Sequence, residues 1–163
     1  MIIPEPTYRE MDQIDVFNRC LSFLRSMDTC ALATALDDKP KVRAMEYTVD
    51  DAGIIYMLTE GGRKIRDILL NANVSVSVWE RDEAPKSVRG LTITARAEVV
   101  DPGDAKRFED YYTKYRSHIG RDVPDIEYLP MSVKLIRVVP EVMELFDQSL
   151  MAEKFLAKQA WRR

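Results

Sequence analysis

The segment from residue 29 to residue 59, TCALATALDDKPKVRAMEYTVDDAGIIYMLT, decides the fold of this 163-residue chain. It contains three apolar or alternating runs, at residues 29–36, 41–49 and 54–59, separated by the turn sequences DDKP and DDAG. Alternation and turn residues of this kind predict β-strands. Because the links are too short for a helical crossover, the three strands are expected to pair antiparallel as a meander.

The remainder of the chain adds more strands and several helices. Alternating runs predict further strands at residues 73–80, 88–100 and 131–138, the last continuing beyond Pro140 through residues 141–146. Helices are predicted at residues 12–27, 63–70, 105–117 and 148–163, the second with Ile65, Ile68 and Leu69 on its apolar face. Asp12 is the expected cap of the first helix and residues 101–104 of the third. About six strands with short links favour a small antiparallel barrel, because closure removes exposed sheet edges.

The predicted organisation is therefore one β-rich α+β domain over residues 1–163. An N-terminal arm and helix occupy residues 1–28, the barrel residues 29–147, and a C-terminal helix residues 148–163. A chain of this length can bury about 70% of its unfolded surface, which is enough for one core.

Composition excludes several classes of chemistry and of partner. With 24 Lys and Arg against 27 Asp and Glu, the net charge is −3, which argues against a nucleic-acid partner. Nothing resembles a signal peptide or an apolar span of about 18 residues, so we expect a cytoplasmic protein without membrane contact. Cys20 and Cys30 are expected to be buried free thiols, and the only histidine, His118, to be exposed or at a helix end. We therefore expect no metal site, and chemistry that depends on a bound cofactor.

The strongest sign of a cofactor site is the sequence TEGGRK at residues 59–64. It places a strand end, two glycines and two cations at the start of a helix, where free backbone N–H groups and the helix dipole favour an anion. Arg63 and Lys64 are both suited to a terminal phosphate. Arg43, on the strand preceding the one that ends at Thr59, could converge on the same anion.

The order of these segments resembles the flavin-binding split-barrel family typified by pyridoxamine-phosphate oxidase, over residues 24–147. The resemblance implies an antiparallel split β-barrel that forms a homodimer, with two FMN molecules in clefts at the subunit interface. It also implies an oxidoreductase that transfers hydride or electrons through the flavin, with NAD(P)H or another small redox substrate as its reaction partner. No side chain is assigned a catalytic role, and the substrate is not identified.

The resemblance also assigns cofactor-binding positions. They are Arg43, Met45, Glu46, Tyr47, Thr48, Leu58, Thr59, Arg63, Lys64, Arg89 and Gly90. The first five border the FMN phosphate and ring, the next two line the cofactor at a strand end, and the Arg-Lys pair binds the phosphate. The last two match a segment in which the oxidase has a glutamine touching the flavin. Trp79 is expected either beside this cleft or buried in the dimer contact.

Two departures from the oxidase keep other functions open. The chain ends in LAKQAWRR and has no counterpart of the longer tail that holds pyridoxal phosphate in the oxidase, so vitamin B6 oxidation is not expected. Gly90 has no side chain with which to replace the flavin-contacting glutamine. The alternatives are a deazaflavin or haem in the same cleft, the latter with only His118 as a histidine ligand, or a ligand-binding or sensing protein without turnover.

Overall fold

The computed structural model describes residues 7–81 and 88–163. The strands in these residues are β1 (Thr29–Leu36), β2 (Lys39–Glu46), β3 (Thr48–Val49), β4 (Ile55–Thr59), β5 (Asn73–Arg81), β6 (Val88–Val100), β7 (Lys134–Asp147) and β8 (Lys158–Arg162). The α-helices are α1 (Gln13–Ser26), α2 (Arg63–Leu70) and α3 (Ala105–His118). The N-terminal arm at residues 1–6 and most of the loop expected at residues 81–86 lie outside the described residues.

All strands belong to one antiparallel sheet with the order β2-β1-β5-β6-β7-β4-β3, and β8 pairs with β7. This confirms the α+β class with a curled antiparallel sheet and flanking helices. The first half of β7 pairs with β4 and its second half with β8, while β6 runs along its other side. Pro140 is tolerated in the middle of β7 because the β6–β7 register shifts there.

The expected meander of three strands is wrong in one respect. The run at residues 41–49 is not a single strand beside β4; β2 pairs with β1, whereas the short β3 pairs with β4. Tyr47 separates them because its N–H donates to the Asp28 carbonyl at 2.9 Å and its hydroxyl to the Leu24 carbonyl at 2.7 Å. The two edge strands of the sheet are thus joined through this one residue.

The C-terminal helix predicted at residues 148–163 is also wrong. The segment forms a 3-10 turn at Gln148–Glu153 and then strand β8. Strand pairing with β7 outweighs helical propensity here, because it buries the tail against α1: the Trp161 and Phe17 rings lie 5.1 Å apart. The buried side chain of Gln159 accepts a hydrogen bond from the Met11 N–H at 2.9 Å.

The first helix begins as predicted, and the other two differ in detail. The Asp12 carboxylate accepts a hydrogen bond from the Ile14 N–H at 2.9 Å, as a capping residue does. Asp104 precedes α3 without a side-chain capping bond. In α2 the buried positions are Asp67 and Ile68, whereas Leu69, expected on the apolar face, is 68% exposed.

Two apolar clusters stabilise the sheet. The larger lies between α1 and the inner face of the sheet, and the smaller between β4 and α3, where Phe108, Tyr112 and Tyr115 are buried. Cys20 and Cys30 are buried free thiols, as expected, and burial raises the pKa of each to about 12. No helix within residues 7–81 and 88–163 is long and apolar enough to cross a membrane.

Candidate functional site

The cations predicted to share a phosphate lie together at the start of α2. Gly61 and Gly62 lead into the helix with φ of +118° and +95°, in the left-handed region that favours glycine. Gly61 faces open space, and a Cβ on Gly62 would come near only the Lys64 Nζ, at 3.8 Å. The backbone at this helix start is therefore open to a close approach by a ligand.

Asp67 brings Arg43 and Arg63 together, and the sequence analysis did not select it. Its Oδ2 accepts a hydrogen bond from the Thr34 hydroxyl at 2.8 Å and lies 3.9 Å from Arg43 Nη2. Its Oδ1 lies 3.5 Å from Arg63 Nε. The sequence did offer one signal for this residue, the four-residue spacing between Arg63 and Asp67 in a helix.

Hydrogen bonds link this cluster to strand β1. Arg43 Nη1 donates to the Thr34 hydroxyl oxygen at 3.2 Å, so Thr34 connects Arg43 to Asp67. Lys64 Nζ donates to the Gly61 carbonyl at 2.6 Å. Partial burial, and to a lesser degree the charge of Arg43, lowers the pKa of Lys64. We name Arg43, Arg63, Lys64, Asp67 and Thr34 the cation cluster.

The cation cluster fits a phosphate group. Three cations oppose one buried carboxylate, which leaves two formal positive charges at a helix start with open backbone. Guanidinium and ammonium donors next to helix N–H groups are typical of phosphate sites. An anion here would also offset the repulsion between Arg43 and Lys64, since the charge of Arg43 contributes, after burial, to the lowered pKa of Lys64.

A mainly apolar cavity borders β2 at Arg43. It has a volume of about 530 Å³ and is lined by Met27, Thr29, Cys30, Ala31, Val42, Arg43, Ala44 and Trp79. Two of its apolar side chains are strongly exposed in the single chain, Trp79 at 61% and Val42 at 66%. Val42 and Ala44 flank Arg43 on β2, so their side chains lie on the opposite face of the sheet from the Arg43 side chain, which turns to Thr34 and Asp67.

The two residues at the end of β4 point to different sides of the sheet. Leu58 packs against the apolar cluster beside α3, together with Tyr56 and Phe108. Thr59 is partly exposed, two residues before Gly61. Because side chains alternate along a strand, only one of the two can face the cluster.

The residues that follow Arg43 separate from it. Met45 is buried in the core opposite Cys30, and Glu46 pairs with Arg121 through two hydrogen bonds of 2.9 and 3.0 Å. The hydroxyl oxygen of Thr48 is buried and has no hydrogen-bond partner among the described residues. Glu46, Tyr47 and Thr48 line a different cavity, of about 610 Å³, which is also lined by residues 118–121.

Tyr47 has a structural contact of its own, which allows a test of its role. Tyr47→Phe removes the buried hydroxyl that donates to the Leu24 carbonyl and leaves that carbonyl without this bond. We expect the free energy of unfolding to fall by about 1 kcal/mol in urea titrations. Because the hydroxyl already donates to the Leu24 carbonyl, its removal should leave the affinity for FMN, the cofactor expected from the resemblance, within about twofold of that of the parent protein. A larger loss of affinity at unchanged stability would instead assign the hydroxyl to the ligand.

Arg89 and Gly90 do not join the cation cluster within one chain. Arg89 forms an ion pair with Glu80 and lies over the Phe23 ring at 5.0 Å. Gly90 lines a cavity of about 630 Å³ between the start of α1 and β8. His118 is exposed at the end of α3, as expected, with Nδ1 2.9 Å from the Lys114 carbonyl oxygen.

The curled antiparallel sheet and its flanking helices define the protein as a split barrel. Residues 18–146 match the family model described as Pyridoxamine 5'-phosphate oxidase, and the chain therefore belongs to this family, as the sequence resemblance predicted. A search of curated proteins found no match.

Solved structures of low sequence identity share the fold. A conserved hypothetical protein of Mycobacterium tuberculosis has a TM-score of 0.66 and 21% identity, covering 93% of each chain. A FAD-binding protein of Mesorhizobium loti has a TM-score of 0.59 and 21% identity, covering 77% of this chain and 90% of its own. A haem-binding protein of Mycobacterium smegmatis has a TM-score of 0.67 and 9% identity, covering 99% of this chain and 60% of its own.

Proposed function

We propose that the protein binds FMN and acts as a flavin-dependent oxidoreductase. The observation that carries this proposal is the cation cluster, in which Arg43 from β2 meets Arg63 and Lys64 from α2 around one buried carboxylate. A cluster with two net positive charges and open backbone suits the terminal phosphate of a flavin mononucleotide. Membership of the family supports the choice of a flavin over other phosphate compounds.

The residues of this chain would bind and orient the cofactor. Arg43, Arg63 and Lys64 would hold the phosphate at the start of α2, next to the open backbone of Gly61 and Gly62. When bound, the flavin supplies hydride or electron transfer to a small redox substrate, with NAD(P)H as the proposed donor.

We further propose a homodimer with the cofactor between the subunits. Exposed apolar side chains surround the cavity beside Arg43, and a partner surface would cover them. A dimer would also account for the separation of Arg89 and Gly90 from the cation cluster, because the second subunit would supply them to the site. Sedimentation of the purified protein tests this assembly, and a monomer with FMN bound would contradict it.

The absorbance spectrum of the purified protein, followed by titration with FMN, tests the proposed cofactor. We expect the two visible flavin bands and saturable binding of FMN. A Soret band would identify haem, and a single visible band in place of two would identify a deazaflavin. The absence of a flavin spectrum together with the absence of FMN binding would contradict the proposal. Bleaching of the bound flavin by NADH or NADPH without oxygen is expected of an enzyme; binding without reduction would favour a sensing protein.

A further inference from the structure

Asp67 differs from the other charged residues of the site in its burial. Its side chain is fully buried, whereas the cations around it retain contact with solvent. Burying a carboxylate is unfavourable unless cations and hydrogen bonds compensate for the lost water. Oδ2 of Asp67 faces Arg43, and Oδ1 faces Arg63. Oδ1 has no hydrogen bond among the described residues, although Arg63 Nε lies 3.5 Å away.

The contacts of Asp67 join two parts of the fold. Asp67 and Arg63 belong to α2, Thr34 belongs to β1, and Arg43 extends from the neighbouring strand β2. Arg43 contacts this carboxylate both directly, at 3.9 Å, and through the Thr34 hydroxyl. A flexible arginine side chain is thereby fixed in the orientation that points it toward the start of α2.

We propose that Asp67 is a positioning residue for phosphate recognition, an inference that rests on the proposed binding of FMN. It holds Arg43 and Arg63 in place before the ligand arrives, so that less side-chain freedom is lost on binding. It also sets the charge of the site: three cations and one carboxylate leave two positive charges, which match the dianion of a phosphate monoester.

Positioning and simple charge neutralisation predict opposite results for Asp67→Asn. If Asp67 only neutralised the cations, its removal would leave three positive charges and strengthen the binding of an anion. If it positions them, Arg43 and Arg63 lose their common partner and phosphate recognition weakens although the net positive charge has increased. The sign of the change in affinity therefore separates the two roles.

The test compares FMN with riboflavin, which lacks the phosphate. For Asp67→Asn we expect FMN affinity to fall about tenfold, as for loss of a charge-assisted contact, while riboflavin affinity stays within about twofold. Thr34→Val removes only the connecting hydroxyl and should lower FMN affinity by about threefold to tenfold, again without affecting riboflavin. Asp110→Asn, the same change at an exposed position of α3, serves as the matched control and should bind both ligands like the parent.

Circular dichroism on heating and urea titration first establish conditions under which each variant is folded. Affinity is then measured under those conditions. Unchanged or tighter FMN binding by folded Asp67→Asn overturns the inference. An equal loss of FMN and riboflavin affinity also overturns it, because that pattern indicates general damage to the cleft. If Asp67→Asn does not fold, Thr34→Val decides by the same two criteria. Failure of the parent protein to bind any flavin would instead contradict the proposed function itself.

Discussion

Lys64→Glu is expected to weaken FMN binding at least tenfold while the fold survives. The variant replaces the ammonium group that is proposed to donate a hydrogen bond to the phosphate with a carboxylate that repels it. A charge-assisted hydrogen bond contributes about 1.5–3 kcal/mol. A tenfold change in affinity corresponds to about 1.4 kcal/mol. Lys64 lies in the first turn of α2, where a glutamate interacts favourably with the helix dipole, so stability should change little.

Lys106→Glu is the matched control for this variant. It makes the same change in net charge at an exposed position in the first turn of α3, away from the cation cluster. Both variants are titrated with FMN at the same ionic strength, and flavin fluorescence reports binding. If Lys64→Glu bound FMN like Lys106→Glu, the phosphate would have to lie elsewhere on the molecule.

Met143→Ala is expected to cause the largest loss of stability. Met143 is fully buried on β7, directly opposite Trp161 of β8. Its terminal methyl carbon packs closely against Gly53, since a Cβ added to that glycine would lie only 3.1 Å from it. Truncating a buried methionine to alanine costs about 2–5 kcal/mol, because the neighbours do not fully close the cavity. Urea unfolding followed by circular dichroism measures this change.

Met151→Ala provides the same substitution in an exposed setting. Met151 is 44% exposed in the 3-10 turn before β8, and its truncation should change the free energy of unfolding by less than about 0.5 kcal/mol. Similar effects of the two substitutions would show that β7 and β8 do not pack as described.

The sequence alone predicted the strands with clear alternation and the residues that converge at α2. Five of the six predicted strands appear as single strands, because two-residue periodicity and turn residues are local properties of the chain; the sixth, at residues 41–49, is divided into β2 and β3. The division at Tyr47 was not predictable, since it depends on hydrogen bonds to Leu24 and Asp28, more than 15 residues earlier in the chain. The same limit applies to β8, whose pairing partner β7 has to be in place before a strand is favoured over a helix.

Asp67 shows why the site itself was only partly predictable. Apolar spacing placed Ile65, Ile68 and Leu69 of α2 toward the core, yet Asp67 is buried and Leu69 is exposed. The reversal depends on Arg43, which approaches from a distant strand and makes burial of a carboxylate favourable. A pattern based on hydropathy along the chain does not include a charged residue, such as Arg43, that only the tertiary structure brings to Asp67.

The division of the sheet at Tyr47 has a mechanical consequence for ligand binding. Arg43 belongs to one terminal strand of the sheet, whereas Arg63 and Lys64 follow β4, the neighbour of the opposite terminal strand. The chain at Tyr47 and the contacts of Asp67 with Arg43 and Thr34 already connect these two ends of the sheet, and a phosphate bound by all three cations would add a further cross-link. Ligand binding would then resist separation of these ends, and the cofactor would serve as part of the barrel wall.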